Sequence, residues 1–436
     1  MSTALRAPGF PEREVRERAR HGAARAFPPR QEYGHFVYGS GVAPEGDAID
    51  RLRLVPPVFM PGRLETLIDL GREPQPGDVR LACAIGGFSS PLPLYVSALG
   101  STQVSAGGLA EALSRQAGRL GLPMVIGENV VPSHGYGPFD TNVERSLRAR
   151  ISAYCTHLPE GSGGVVVQQS TEDADAEVWN AVYSDPAARL LLDSDRLAFE
   201  LKVGQGAKPG LGGMALTARD DADRQPFTAV PLFGEADEQV LRCASAGTFT
   251  EEILRQQIRL MRNNYPRARV WVKLHPGRDV GLAAATAWAA GADAVTVDGA
   301  EGGSGWAPTS FLNHVGLPLA ECLRRVAPGD SCLLASGRMW EGSRIVKAIA
   351  SGARAVGLGR AAFLAADEDP EHGLERLVDC LALEISLLTS ALGKYRTTEL
   401  GPEDLWPVPE SYLPEPLLAP DAALAAHPDT TTCRRP

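Results

Sequence analysis

The chain holds no cysteine pair at C-x-x-C spacing, although it has seven cysteines: Cys83, Cys155, Cys243, Cys322, Cys332, Cys380 and Cys433. An odd, widely scattered set excludes a disulfide framework and shows no zinc or iron–sulfur ligand pattern, so most read as small core residues. No apolar run approaches the roughly 18 residues that span a bilayer. The first thirty residues, with Glu12-Arg13-Glu14 and several arginines, hold no apolar signal core. No membrane attachment is expected, and the cytoplasm is the expected location. Basic stripes are missing too, and the net charge is −10, so a nucleic-acid partner is not expected. Aromatic residues are few, at 6%. Gly and Pro are frequent but dispersed, which excludes a low-complexity chain. What is present is enough apolar material, 44% of 436 residues, for a large core.

Eight short apolar runs alternate with helical patterns. They are Leu92–Ser97, Pro123–Gly127, Gly164–Gln168, Ala198–Val203, Arg269–Leu274, Ala294–Val297, Cys332–Ser336 and Ala355–Leu358. Each is rich in Val, Ile and Leu and continuous rather than alternating, as strands covered on both faces should be. Between them, Leu109–Leu120, Thr250–Asn263, Leu282–Ala290 and Arg344–Ala350 read as helices. Thr250 followed by Glu251-Glu252 is a helix-start signal, and Gly291 and Gly352 fall where a left-handed residue closes a helix. The pattern predicts an α/β fold, a (β/α)8 TIM barrel over residues 90–366. Residues 1–89 read as a Pro-dense arm packing on the barrel, and residues 367–436 as a C-terminal helix (371–393) with an extended tail. About 45 residues between the fourth and fifth strands exceed an ordinary barrel loop and suggest a lid.

Four segments leave the ends of strands where barrel active sites form. The first is KVGQGAKPGLGG, Lys202–Gly213. Its glycines let the backbone approach a ligand closely, and Lys202, Gln205 and Lys208 supply donors. A flexible surface loop would not need those donors interleaved with Pro209. The second is DGAEGGSGWAP, Asp298–Pro308; the third Ser336-Gly337-Arg338; the fourth Gly357-Leu358-Gly359-Arg360. Any one alone reads as a tight turn. Together, after the last strands, they fit a phosphate cradle of backbone N–H groups, with Arg360 and Arg338 as charged donors.

These segments resemble the synthase domain of glutamate synthase. QGAKPGLGG matches that family's QGAKPGxGG run, and DGAEGGSGWAPTSFLNHVGLP resembles its DGxxGGTGAxP…HxGLP stretch. ASGRMWEGSRIVKAIASGARAVGLGRAAFLA is similar to its phosphate-binding segment, and Ser97-Ala98-Leu99-Gly100-Ser101 to its first-strand turn. The likeness covers roughly residues 90–395. It implies FMN in the barrel mouth, contacted by Ser97, Lys202, Lys273 and Gln168. Gly302, Gly303, Ser336, Gly337, Arg338, Gly357, Gly359 and Arg360 would hold the ribityl phosphate, and Gln205 and Lys208 would face the substrate. A lysine beside the flavin would stabilise its anionic reduced form.

The chain also departs from that family. Glutamate synthase opens with a glutaminase domain whose nucleophile is an N-terminal cysteine; this sequence begins Met1-Ser2, so a glutaminase partner or a free amine is expected. The family's [3Fe-4S] cysteine cluster is replaced by FLAADEDPEHGLERLVDC, with Cys380 alone. No iron–sulfur cluster or other metal is therefore expected, and electrons would reach FMN directly, from an electron-transfer partner or a small donor. RCASAGTFTEE stands in place of a His-rich turn, and KLHPGRD adds His275, Arg278 and Asp279, so the substrate need not be 2-oxoglutarate.

Three further residues keep two readings. Glu128 is an acid/base at the mouth or a helix-start cap. His275 is a general acid/base or a structural hydrogen-bonding histidine. Glu301 is a substrate ligand or a turn residue. His314 reads as structural, and Trp306 as a wall of the pocket. The expectation is an FMN-dependent oxidoreductase acting on a C–N bond of an amino or imino acid, with Lys208 as a point charge for its carboxylate. The alternatives are an FMN-dependent hydroxy-acid dehydrogenase or isomerase, and a flavin-binding subunit of an amidotransferase complex. Hydroxy-acid oxidases need a histidine with a neighbouring arginine after a late strand, and DGAEGGSG has neither. A homo-oligomer is expected.

Overall fold

The computed structural model describes residues 28–38, 47–58, 72–98, 108–127, 141–171, 176–204, 206, 214–219, 228–234, 237–243, 249–304 and 307–406. Eight parallel strands close a barrel: β1 Leu94–Val96, β2 Met124–Ile126, β3 Val165–Ser170, β4 Leu197–Lys202, β5 Arg269–Leu274, β6 Ala294–Asp298, β7 Leu333–Ser336 and β8 Ala355–Leu358. Each falls on one of the eight apolar runs. β8 pairs with β1 through Val356↔Leu94 and Leu358↔Val96, which shuts the ring. The strands are buried on both faces because helices cover the outside and side chains fill the lumen.

The described helices of seven or more residues are α1 Gly108–Leu120, α2 Thr141–Cys155, α3 Ala176–Ser184, α4 Glu251–Asn264, α5 Val280–Ala289, α6 Leu319–Arg325, α7 Gly342–Ala350, α8 Arg360–Glu368 and α9 Gly373–Ala391. Thr250 caps α4, its side chain accepting from the Ile253 amide, and Glu251 and Glu252 sit at the positive end of the helix. α4 turns Leu254, Ile258 and Met261 to the core. Gly291 and Gly352 close α5 and α7 at φ 104°. The long helix α9 lies against α7 and α8, on the barrel's flank.

The foot of the barrel is plugged. Antiparallel strands Cys83–Ile85 and Phe88–Ser90 make a hairpin whose Gly86 carbonyl accepts the Trp271 indole N–H at 3.0 Å. Trp271 points into the lumen from β5, fully buried, with Phe88 at 5.5 Å and Tyr95 edge-on at 6.3 Å between ring centroids. Gly86 has φ 54°, and a Cβ there would stand 2.4 Å from the indole, so the turn closes only around glycine.

Residues of the N-terminal region tie distant parts of the barrel together. Arg53–Leu54 pairs antiparallel with Leu405–Trp406. Asp47 caps the short helix Ala48–Arg51 by a capping box, and its carboxylate meets the buried Arg344 of α7 at 2.6 Å. The stretch between β4 and α4, read from sequence as a lid loop, contains a three-stranded antiparallel sheet of Met214–Ala218, Gln239–Cys243 and Thr228–Val230, with Gln239–Cys243 central. Arg30 reaches this excursion, pairing with Asp237 and standing 5.3 Å over the Phe233 ring. Tyr38 forms a bridge with Ser304, at the mouth of the barrel.

Candidate active site

Side chains that enter the lumen are two residues apart along each strand, because successive residues of a strand face opposite ways. The lowest inward layer is apolar: Val166, Ala198, Trp271, Ala294, Leu334 and Ala355, packed with the hairpin's Ile85 and Phe88. One step up, the same faces become polar. Register pairs Gln168 with Glu200, Lys273 with Thr296, and Ser336 with Gly357. The top step brings Ser170 beside Lys202 and Asp298 beside Ser336. The lumen thus turns from hydrocarbon to hydrogen-bonding groups at the strands' C-terminal ends.

The polar groups are mutually bonded. Gln168 Nε2 donates to Glu200 Oε2, and Thr296 Oγ1 donates to Glu200 Oε1 at 3.3 Å. Lys273 Nζ pairs with Asp298 Oδ2 at 3.1 Å, and both side chains are 7% exposed. Ser336 Oγ bonds Asp298 Oδ1, and the Gly206 amide donates to Asp298 Oδ2 at 3.2 Å. Burial pushes the Glu200 carboxyl above its ordinary range, while Lys273, Gln168 and Thr296 hold it down. Ser97 and Lys202 are buried as well.

Above this layer lie the glycine turns. Gly303 has φ 70° and Gly337 φ 140°, backbone conformations that disfavour a side chain. Gly357 packs so tightly that a Cβ would stand 2.7 Å from the Tyr95 ring and 2.8 Å from Ser97 Cβ. At Gly359, which precedes α8, a Cβ would meet no described atom within 4 Å. The nine-residue helix α8 starts directly after it, with its positive end at this turn. Arg360 begins that helix, and its Nη2 bonds the Glu301 carbonyl at 2.7 Å, bridging the turns after β6 and β8.

The other expected site residues each have their own surroundings. Arg338, at φ 56°, directs Nη1 to Asp50 at 2.9 Å and Asp47 at 3.4 Å. Glu301 has no exposed surface; its Oε2 accepts the Leu319 amide at 2.8 Å and its Oε1 has no hydrogen-bond partner among the described residues. Gly302 lies beside Asp298. His275 follows β5 and lines a cavity of ≈ 380 Å³ with Val203, Phe249, Leu254, Arg278 and Asp279, between the starts of α4 and α5. Its Nδ1 is buried without a partner among the described residues, and burial lowers its pKa against an opposing pull from Asp279. His314 is exposed at the end of a short helix. Glu128, Gln205, Lys208 and Trp306 lie outside the described residues.

The sequence reading missed Glu200, Thr296 and Asp298 as inward polar groups. Period-two counting would have found them: Glu200 and Lys202 share a face with Ala198, and Thr296 and Asp298 with Ala294. Among the described residues, no three His, Cys, Asp or Glu are grouped to hold a metal ion. No described helix is long and apolar enough to cross a membrane.

A closed (β/α)8 barrel with a plugged foot, a polar upper lumen and glycine turns above it belongs to the class of barrels that bind a ligand at the strands' C-terminal ends. Within that class the chain belongs to the glutamate synthase family: the model of the conserved region in glutamate synthase matches residues 133–367. Over 241 residues the chain is 30% identical to an archaeal-type glutamate synthase (NADPH) of Dehalococcoides mccartyi, covering 53% of this chain and 47% of that one. A glutamate synthase large subunit-like protein of Rhizobium meliloti is 28% identical over 253 residues, 54% of each. The chain spans about half the length of these curated relatives. The fold is also that of a mandelate oxidase variant carrying a monooxide FMN adduct, with TM-score 0.53 and 19% identity over 86% of this chain and 95% of that one. A chimera of (S)-mandelate dehydrogenase gives TM-score 0.52 and 19% identity over 88% and 97%.

Proposed function

We propose that the chain is an FMN-dependent oxidoreductase acting on a C–N bond of an amino or imino acid. The observation that carries this reading is the step from an apolar foot to a polar upper lumen beneath the glycine turns after β6, β7 and β8. A flat amphipathic ring with a phosphate tail matches that gradient. We assign Ser97, Gln168, Lys202 and Lys273 to the ring's polar edge. Gly302, Gly303, Ser336, Gly337, Gly357 and Gly359, with the first N–H groups of α8, are assigned to the phosphate, and Arg360 to its charge. Arg338, spent on Asp47 and Asp50, reads as a tie between Asp47–Asp50 and the turn after β7. Glu301 reads as a prop for the turn after β6.

The flavin supplies hydride transfer to or from the substrate. The chain's own groups bind and orient. Lys202 and Lys273 place positive charge where reduction adds electrons. Gln205 and Lys208 follow β4, and we assign them the substrate carboxylate. To His275 and Arg278, which line the cavity between α4 and α5, we assign a second polar group of the substrate, with His275 as proton acceptor; Glu128 is the other acid/base candidate. The turn after β6, Asp298–Ser304, carries no histidine, which favours C–N over hydroxy-acid chemistry. A glutaminase or an electron-transfer protein is the partner class to look for, and a homo-oligomer the state to test.

Purified protein should be yellow and release FMN rather than FAD on denaturation. Amino acids should bleach it anaerobically, and Lys208→Met should abolish bleaching while leaving FMN content intact. A folded preparation that neither contains nor takes up FMN refutes the reading; bleaching by hydroxy acids alone replaces the C–N assignment.

A further inference from the structure

Glu200 is 1% exposed and occupies the first polar layer above Trp271, to which it is paired in register across β4 and β5. Nothing in the proposed flavin contacts uses it. A charge in that position is costly unless every acceptor is satisfied. Glu200 is satisfied on both oxygens: Oε2 by the Gln168 carboxamide and Oε1 by the Thr296 hydroxyl at 3.3 Å. The Gln168 group that faces it is the NH2, donating to Oε2, the arrangement an ionised carboxylate needs. The carboxamide oxygen of Gln168 is then the atom offered to a ligand. The charged groups that face Glu200 are Lys273, which favours its charged form, and Asp298, which opposes it; the Tyr95 phenol lies within its field.

We propose that Glu200 is the positioning residue of the flavin site, fixing which end of the Gln168 carboxamide meets the ring and setting how much positive charge Lys273 presents to it. The inference rests on the FMN reading above. Three consequences follow from the contacts. With Glu200 in place, Gln168 presents an acceptor suited to an N–H of the ring. Lys273 is balanced by Asp298 directly and by Glu200 from the next strand. Neutralising Glu200 frees the carboxamide to turn and leaves the lysine's field stronger, so an anionic reduced ring is favoured.

The test uses the full chain and FMN itself. Wild type, Glu200→Gln and Glu200→Leu are stripped of flavin, titrated with FMN, and the midpoint potential of each reconstituted protein is measured with its visible spectrum. Glu200→Gln should bind FMN stoichiometrically, with a potential shifted to more positive values and an altered absorption band. Glu200→Leu should bind FMN at least tenfold more weakly, a loss that Gln partly rescues. If Glu200→Leu does not fold, the potential of Glu200→Gln alone decides. A Glu200→Gln protein with wild-type affinity, potential and spectrum overturns the inference and leaves Glu200 as lumen filling. Failure of wild type to take up FMN is a separate result, and it removes the FMN reading instead.

Discussion

Gly206 and Gly303 meet backbone to backbone across the barrel mouth: a Cβ built on Gly206 would stand 2.4 Å from the Gly303 carbonyl oxygen and 2.9 Å from its nitrogen. The turn after β4 and the turn after β6 are thereby locked in one arrangement, with the Gly206 amide on Asp298. Neither backbone can yield as the tip of a flexible side chain would. Gly206→Ala should cost about 1–3 kcal/mol, the usual range for overpacking, and should lower FMN occupancy as well. Urea melts and flavin-to-protein absorbance ratios check both effects. A stable Gly206→Ala protein with full flavin would show that the two turns separate freely.

Arg360 is expected to grip the flavin phosphate while holding the Glu301 carbonyl. Arg360→Ala should weaken FMN binding by about 1.5–3 kcal/mol, the range for hydrogen bonds to charged groups. Fluorescence titration of the stripped protein measures it, and unchanged affinity would confine Arg360 to bridging the turns after β6 and β8.

Arg344 is fully buried and bonds Asp47, Asp50 and the Gly337 carbonyl, so it joins Asp47–Asp50 to the turn after β7. Removing Asp47 leaves the buried guanidinium to Asp50 and the Gly337 carbonyl. Asp47→Ala should destabilise the fold by about 1.5–3 kcal/mol, the range for hydrogen bonds to charged groups, part of it through the lost cap of Ala48–Arg51. Chemical denaturation of the variant tests this; a loss below about 1 kcal/mol would mean the pair behaves as a surface bridge.

Glu301 gives a pH signature. Burial raises its carboxyl above the ordinary range, with Asp47 adding to the rise and the Leu319 amide and Arg344 opposing it. The folded state therefore keeps its proton where the unfolded chain has lost it. Stability from this group is present at low pH and lost as pH climbs from the ordinary carboxylate range through the folded pKa. Glu301→Gln is neutral throughout. Its melting temperature relative to wild type should rise between pH 4.5 and pH 8, on the order of several degrees at most. A difference that stays flat across that range would mean Glu301 titrates as if exposed.

Much of the barrel was legible because its signals are local. β5 and β8 begin and end where their apolar runs do, and Thr250, Gly291 and Gly352 act through their own backbone conformations. The hairpin at the foot was not legible: three-residue strands are too short to show alternation, and their reason for existing is Trp271, far along the chain. The excursion after β4 was read as a lid because its sheet is built from strands of three to five residues among glycines and charges. Asp47 and Arg344 lie 297 residues apart, and nothing in either neighbourhood announces the other. Within the site, Lys273 was found by resemblance, whereas Glu200, Thr296 and Asp298 were hidden by reading strands as continuous runs rather than by faces.

The tryptophan plug has a kinetic consequence. Trp271, Phe88 and Ile85 fill the lower lumen, so among the described residues the foot offers no way to a group seated in the upper lumen. On the FMN reading, two reactants that share one position over the ring must take turns: the first leaves as product before the second enters. Steady-state measurements with a reductant and an oxidant should then give parallel double-reciprocal lines, the ping-pong pattern, and each reactant should inhibit competitively against the other.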